Sequence, residues 1–196
     1  SYPNYYIAGL AAKFVKVALG GAGGDEVFAG YPWRYELVAG LDDAQAFDRA
    51  YYDYWSRLVP EAEKPSFFAD EVWNQARDRS TFDLYRSVLE PVAQLEPLEK
   101  ALYFEAKTFL HGLLVVEDKV SMAHGLESRV PFLDNDLVDF SMKLPARAKL
   151  GNLAEVVRLD ENEPGGKQAR YYQRTRDGKI ILRKMMGRYI PSQITD

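Results

Sequence analysis

Four glycines in five positions, Gly20, Gly21, Gly23 and Gly24, follow the short β-branched run Val15–Leu19 and lead directly into Asp25 and Glu26. Few folds accommodate that order. The apolar run has the length and character of a buried strand. Residues without a Cβ reach positive φ and let the backbone approach a ligand closely. Acids at the start of a helix suit its exposed N–H groups. A strand, a glycine loop, an acid pair and a helix start are how α/β proteins place a ligand at the carboxyl end of a strand. Two readings follow: a tight strand-to-helix turn with solvated caps, or a nucleotide site in which Asp25 or Glu26 holds Mg²⁺. The spacing is neither Walker A nor GxGxxG, so it does not choose between them.

The remaining chain is read as mostly helical. A helix is expected over residues 3–14, with Tyr6, Leu10 and Phe14 on one face. Gly30-Tyr31-Pro32 ends the short helix begun at Asp25. From Asp42 to about Leu58, the residues Phe47, Tyr51, Tyr54, Trp55 and Leu58 form an aromatic stripe of the kind that fills a core. Pro60–Pro65 reads as a linker. Ser66 caps a helix over Phe67–Arg77, and Thr81 opens another through Leu84, Tyr85 and Val88. Leu98–Val116 is apolar on more than one face and reads as a central buried helix. Residues 151–178 read as an exposed loop, and Lys179–Pro191 as a short basic helix stopped at its proline.

The second informative stretch runs from Glu117 to Asp134. Gly125 ends a helix, Pro131 extends Val130, and Asp134 caps a helix whose apolar face is Leu137, Phe140 and Leu144. Glu127 and Arg129 stand among apolar neighbours, which favours a buried ion pair fixing the loop over a catalytic pair. Acids crowd the first loop and cations the tail, a division that suits a polyphosphate held between a carboxylate-bound metal and ammonium groups. A solvated basic helix has the same composition.

The totals narrow the class. At 196 residues, 47% hydrophobic and 28% charged, the chain has the composition of a globular domain with a core. A net charge of -4 gives no support for nucleic-acid affinity. Without cysteine there is no thiolate metal site or thiol nucleophile. His111 and His124 are too far apart for a local zinc motif, and one or both are read as packing residues. No apolar run has membrane-spanning length and no signal-peptide pattern opens the chain, so no membrane and a cytoplasmic location are expected. Ser1 opens in mid-pattern, as expected of a fragment.

These stretches, in this order, resemble the synthetase domain of the glutamine-dependent asparagine synthetases. The family's Leu-Ser-Gly-Glu-Gly-Ala/Gly-Asp-Glu-Leu-Phe-Gly-Gly-Tyr lines up without a gap on Leu19–Tyr31. Its Asp-Arg/Lys-x-Ser-Met-Ala-x-Gly-x-Glu-x-Arg-x-Pro-Phe-Leu-Asp is met by Asp118–Asp134, and its Lys-x-x-Leu-Arg by Lys179, Leu182 and Arg183. The middle motif is the most specific. The resemblance implies an α/β fold, the adenine-nucleotide α-hydrolase-like synthetase domain. Residues 1–196 would be its mostly helical C-terminal portion, with one clear strand.

It also implies an ATP-dependent amide ligase that adenylates a carboxylate, releases pyrophosphate and passes the acyl group to an amine. Leu19, Gly20 and Gly21 would lie against the nucleotide. Asp25 would bind Mg²⁺ with Glu26 in support, and Lys179 would neutralise phosphate charge during adenylation. Asp118, Glu127 and Arg129 would shape the site. An aspartate-like carboxylate, ammonia or another amine, and a glutaminase domain upstream or in trans are the implied partners, and a homodimer is compatible with them.

Three departures qualify the resemblance. The family's glutaminase domain and its Ser-Gly-Gly-x-Asp-Ser pyrophosphate loop are not in this sequence, so a longer protein or a partner supplies them. Within the glycine loop, the family's catalytic glutamate falls at Ala22 and its serine at Gly20. An alanine keeps the backbone and removes the acid/base group. Ala22 therefore marks a changed amine, as in β-lactam or macrolactam synthetases, or a degenerate, non-catalytic binding module.

Overall fold

The computed structural model describes residues 2–35, 44–56, 58–151 and 178–195. In chain order the elements are α1 Tyr2–Ala11, β1 Val17–Leu19, α2 Gly24–Phe28, α3 Pro32–Tyr35, α4 Ala44–Trp55, α5 Lys64–Phe67, α6 Asp70–Ala76, α7 Thr81–Leu89, α8 Pro97–Lys107, α9 Phe109–Met122, β2 Glu127–Arg129, α10 Asn135–Lys143, α11 Ala146–Lys149, α12 Ile180–Met186 and α13 Ser192–Thr195. β1 and β2 form a two-stranded parallel sheet with Val17 opposite Glu127, Ala18 opposite Ser128 and Leu19 opposite Arg129. This is a mostly helical α/β arrangement. The second strand carries no strand signal of its own, since Glu-Ser-Arg has neither alternation nor β-branched residues.

The core lies among α3, α4, α7 and α8. Phe47 and Tyr51 on α4 are fully buried and their rings stack at 5.5 Å. They meet Tyr35, Tyr85, Leu89, Ala101, Leu102 and Phe104 in one cluster. Tyr85 and Phe104 lie 5.0 Å apart, and such pairs add about 0.5–1.5 kcal/mol beyond area burial. The aromatic stripe is thus core as far as Trp55, which packs against it. Leu58 lies past the end of α4 and is exposed. Asp42 and Asp43 lie outside the described residues, as do residues 152–177 of the expected loop.

Several local expectations give way to tertiary context. Residues 60–65 are not a bare linker: a 3-10 turn at Glu61–Glu63 runs straight into α5. Ser66 lies inside α5, its Oγ donating to the Glu63 carbonyl at 2.9 Å, and caps nothing. α6 starts instead at Asp70. α7 opens at Thr81 as expected, with Ser80 Oγ accepting from Asp83 N–H at 3.0 Å.

Leu98–Val116 is two helices, not one. The break is at Thr108, whose Oγ1 donates to the Phe104 carbonyl at 2.7 Å. That hydroxyl shares the Phe104 carbonyl with the Thr108 N–H, a pattern that bends helices, and Thr108 sits at a stretched φ of -117 while staying right-handed. α8 is buried, whereas α9 leaves Leu113, Val115 and Val116 exposed.

The apolar start of the chain is also open. Tyr6, Leu10 and Phe14 are exposed, and Ala8 is the buried residue of α1. Val17 is exposed and Leu19 is 77% exposed, so β1 is not a buried strand. Among the described residues β1 pairs along one edge alone. The face that carries Val17 and Leu19 is open, while Ala18 on the opposite face is half-buried. On α10, Asp134 Oδ1 accepts from Asp136 and Leu137 N–H as the cap requires, but Phe140 is exposed. His124 packs against Tyr5, with ring centroids 4.3 Å apart, while His111 is exposed.

Candidate active site

The candidate site forms where β1 ends. Gly20 N–H continues the parallel ladder by donating to the Arg129 carbonyl at 2.7 Å. Gly21 is exposed, and a Cβ there would meet nothing within 4 Å. The chain then turns at Gly23, whose φ of +90 is the left-handed conformation that glycine adopts freely. α2 ends in a Schellman motif: Ala29 is left-handed at φ 56, and Gly30 N–H donates to the Asp25 carbonyl at 2.7 Å.

That closure brings the tail onto the loop. Lys179 N–H donates to the Phe28 carbonyl at 3.1 Å. Lys179 Nζ lies 2.8 Å from Asp25 Oδ1, with about a third of each side chain exposed (31% and 29%). Residues 154 positions apart (179 − 25) are thus joined in a partly open ion pair. Ala29 and Lys179 are the two non-glycine residues with positive φ among the described residues. Both flank this junction, and held backbone strain of this kind gathers at functional sites.

Asp25 and Glu26 do not share a surface. Glu26 is 2% exposed and accepts a hydrogen bond from Tyr31 Oη at 2.8 Å. Burial, then the charges of Glu26 and Asp25, push the Tyr31 phenol far above its ordinary range, so it stays a donor. The Arg34 guanidinium stacks 3.9 Å from the Tyr31 ring centroid and reaches Glu105 Oε1 at 3.5 Å. Glu105 is fully buried and also accepts from Tyr35 Oη at 2.9 Å and Tyr51 Oη at 3.0 Å. Burial pushes its carboxyl up to about 7, against the opposing pull of Arg34 and the two tyrosines. A continuous polar chain therefore runs from the loop into the aromatic core. Arg34 and Glu105 carry no motif signal, and Tyr31, although it closes the first motif, gains no role from it, so sequence reading missed all three.

The other foreseen residues are placed as follows. Leu19 and Gly21 are exposed at the strand end, beside Gly20. Ala22 is half-buried in the turn. Glu127 and Arg129 do form an ion pair, at 2.8 Å, but both side chains are more than half exposed. The expected burial fails because the sheet face they stand on is uncovered. Asp118 is exposed on α9, and its carbonyl accepts from Ser121 Oγ at 3.1 Å. Among the described residues no three His, Cys, Asp or Glu side chains gather as metal ligands. No helix there is long and apolar enough to cross a membrane.

The family model described as "Asparagine synthase" matches residues 1–196. A "Putative asparagine synthetase (glutamine-hydrolyzing)" of Mycobacterium tuberculosis strain H37Rv is 31% identical, over 76% of this chain and 27% of its own length. "Asparagine synthetase (glutamine-hydrolyzing) 1" of Bacillus subtilis strain 168 is 28% identical, over 76% of this chain and 28% of its own. The chain thus spans about a quarter of the length of the curated relatives it matches. No solved structure matches. A family model that covers the whole chain, and relatives matched over three quarters of it, place this chain in the asparagine synthetase family.

Proposed function

We propose that the natural protein is an ATP-dependent amide ligase of the adenine-nucleotide α-hydrolase-like class. It adenylates an aspartate-like carboxylate with release of pyrophosphate, and ammonia then takes the acyl group. The observation that carries this reading is the 2.8 Å pair of Lys179 and Asp25 beside an open glycine loop. A lysine on a carboxylate is a stored cation. Phosphate oxygens arriving at the loop offer its ammonium competing partners, and they free the Asp25 carboxylate.

The donor set fits magnesium bound in the usual way, by one carboxylate with the remaining positions filled by substrate phosphates and water. Asp25 would hold it, and bound there it would offset phosphate charge. Glu26 acts from behind, its side chain fixed by Tyr31. Lys179 steadies charge on the phosphates without moving during the reaction. Leu19, Gly20 and Gly21 provide the surface against which the nucleotide rests, and the relatives' greater length leaves room for a glutaminase domain. Ala22 supports a second reading, in which another amine replaces ammonia.

ATP–pyrophosphate exchange tests the assignment in the natural protein, with magnesium and aspartate. Lys179→Ala and Asp25→Asn are each expected to lower exchange about 100-fold. Unchanged exchange in both variants removes the site, and a wild-type protein without exchange overturns the ligase reading.

A further inference from the structure

Gly20 is a glycine for a reason that lies outside its own loop. A Cβ at that position would stand 2.7 Å from Glu117 Oε1 and 3.4 Å from Ser128 Oγ. The Glu117 carboxylate, carried by α9, thus rests on the backbone at the carboxyl end of β1. Ser128, which pairs with Ala18 in the sheet, donates its hydroxyl to Glu117 Oε1 at 2.5 Å. Helix, strand and glycine together fix one carboxylate at the point where an α/β sheet presents its ligand.

The chemistry of the proposed reaction asks for a carboxylate there. An amine attacking an acyl carbon gains positive charge and must lose a proton for the amide to persist, so a base within reach lowers the barrier. Ala22 supplies none. Asp25 is paired with Lys179, Glu127 with Arg129, and Glu26 is buried beneath the Tyr31 hydroxyl. Glu117 differs from all three. Its one partner is a neutral hydroxyl on Oε1, which leaves its charge uncancelled and Oε2 without a partner among the described residues.

We infer that Glu117 is the proton acceptor of the amide-forming step, an inference that rests on the ligase reading above. The nitrogen lone pair of ammonia forms the C–N bond to the acyl carbon of the acyl-adenylate. An N–H proton passes to Glu117 Oε2. The bond from the acyl carbon to the phosphate oxygen breaks, and AMP leaves with that electron pair. Ser128 positions the base by holding Oε1, and Gly20 leaves the space in which the carboxylate sits.

Glu117→Gln keeps the shape and the acceptor for Ser128 while removing the base. In the natural protein, with ATP, magnesium and aspartate, the variant is expected to retain wild-type ATP–pyrophosphate exchange. Its asparagine formation from ammonium chloride should fall about 100-fold. Hydroxylamine, a stronger nucleophile that needs less help from a base, should still trap the acyl-adenylate as hydroxamate at near the wild-type rate. Glu117→Asp should recover part of the ammonium reaction. Undiminished asparagine formation in Glu117→Gln overturns the inference. So does a parallel loss of exchange, hydroxamate and amide, which would mark a structural carboxylate. Wild-type exchange without amide formation from ammonium also overturns it, whereas absence of wild-type exchange sinks the ligase reading itself.

Discussion

Replacing Glu105 with alanine is expected to cost about 3–5 kcal/mol of stability at pH 5, where the buried acid is protonated, the range for leaving buried hydrogen-bond partners unsatisfied and opening a cavity. The substitution takes the carboxyl from Arg34 at 3.5 Å and the acceptor from Tyr35 at 2.9 Å and Tyr51 at 3.0 Å, inside the aromatic core. It also opens a void beside the fully buried Tyr35 and Tyr51. Urea unfolding followed by tryptophan fluorescence reads the loss, because Trp55 packs against this cluster. A change below about 1 kcal/mol, the level of an ordinary substitution, would show that the buried carboxylate contributes nothing to the fold.

The same residue sets a pH dependence whose sign is fixed by burial. The folded-state carboxyl is pushed up from 4.5 to about 7, so the folded chain holds the proton more tightly than the unfolded one. Its contribution is complete below about pH 4.5 and is lost as pH rises through about 7, a change of roughly 3 kcal/mol at most. Glu105→Gln imitates the protonated acid. It should match the wild type at pH 5, exceed it at pH 8 and flatten the profile between them. The cost of Glu105→Ala should shrink over the same interval. A wild-type and a Glu105→Gln profile that run parallel from pH 5 to pH 8 would contradict the ionisation argument.

Some of this architecture is written locally and some is not. The glycine loop, the helix start at Asp25, the Gly30 stop and the Asp134 cap are each decided within a few residues by backbone freedom and orphan N–H groups. They are readable for that reason. The Glu105 cluster is not: on α8 Glu105 is one acid among lysines and acids, and its partners lie 54, 70 and 71 residues away. Glu117 is similarly silent, because its meaning comes from the space above Gly20. The approach of Lys179 to Asp25 was suggested by charge division and by the family motifs, and no local rule joins them. The openness of α1, β1 and α9 runs against the apolar pattern. Periodicity identifies the face that prefers burial, but it carries no information on what stands opposite.

Gly30→Ala is expected to be the most damaging small substitution at the site, and the cause is volume rather than torsion. The chain leaves α2 through the left-handed Ala29 and folds back on the first turn of its own helix, so that a Cβ on Gly30 would lie 1.8 Å from Asp25 Oδ1 and 2.7 Å from Asp25 Cα. The carboxylate could swing aside, but a backbone Cα cannot. The turn must therefore open, breaking the 2.7 Å bond from Gly30 N–H to the Asp25 carbonyl and pulling the acid from Lys179. Overpacking of this severity costs about 3 kcal/mol or more, and exchange activity should disappear with the pair. Gly21→Ala is the matching control on the same loop. Its Cβ would meet nothing within 4 Å and its φ is not positive, so stability should change by less than about 0.5 kcal/mol. Unfolding midpoints of the two variants, measured side by side, separate the two positions. Equal midpoints would mean that the fold-back of Gly30 onto Asp25 is not what holds this loop.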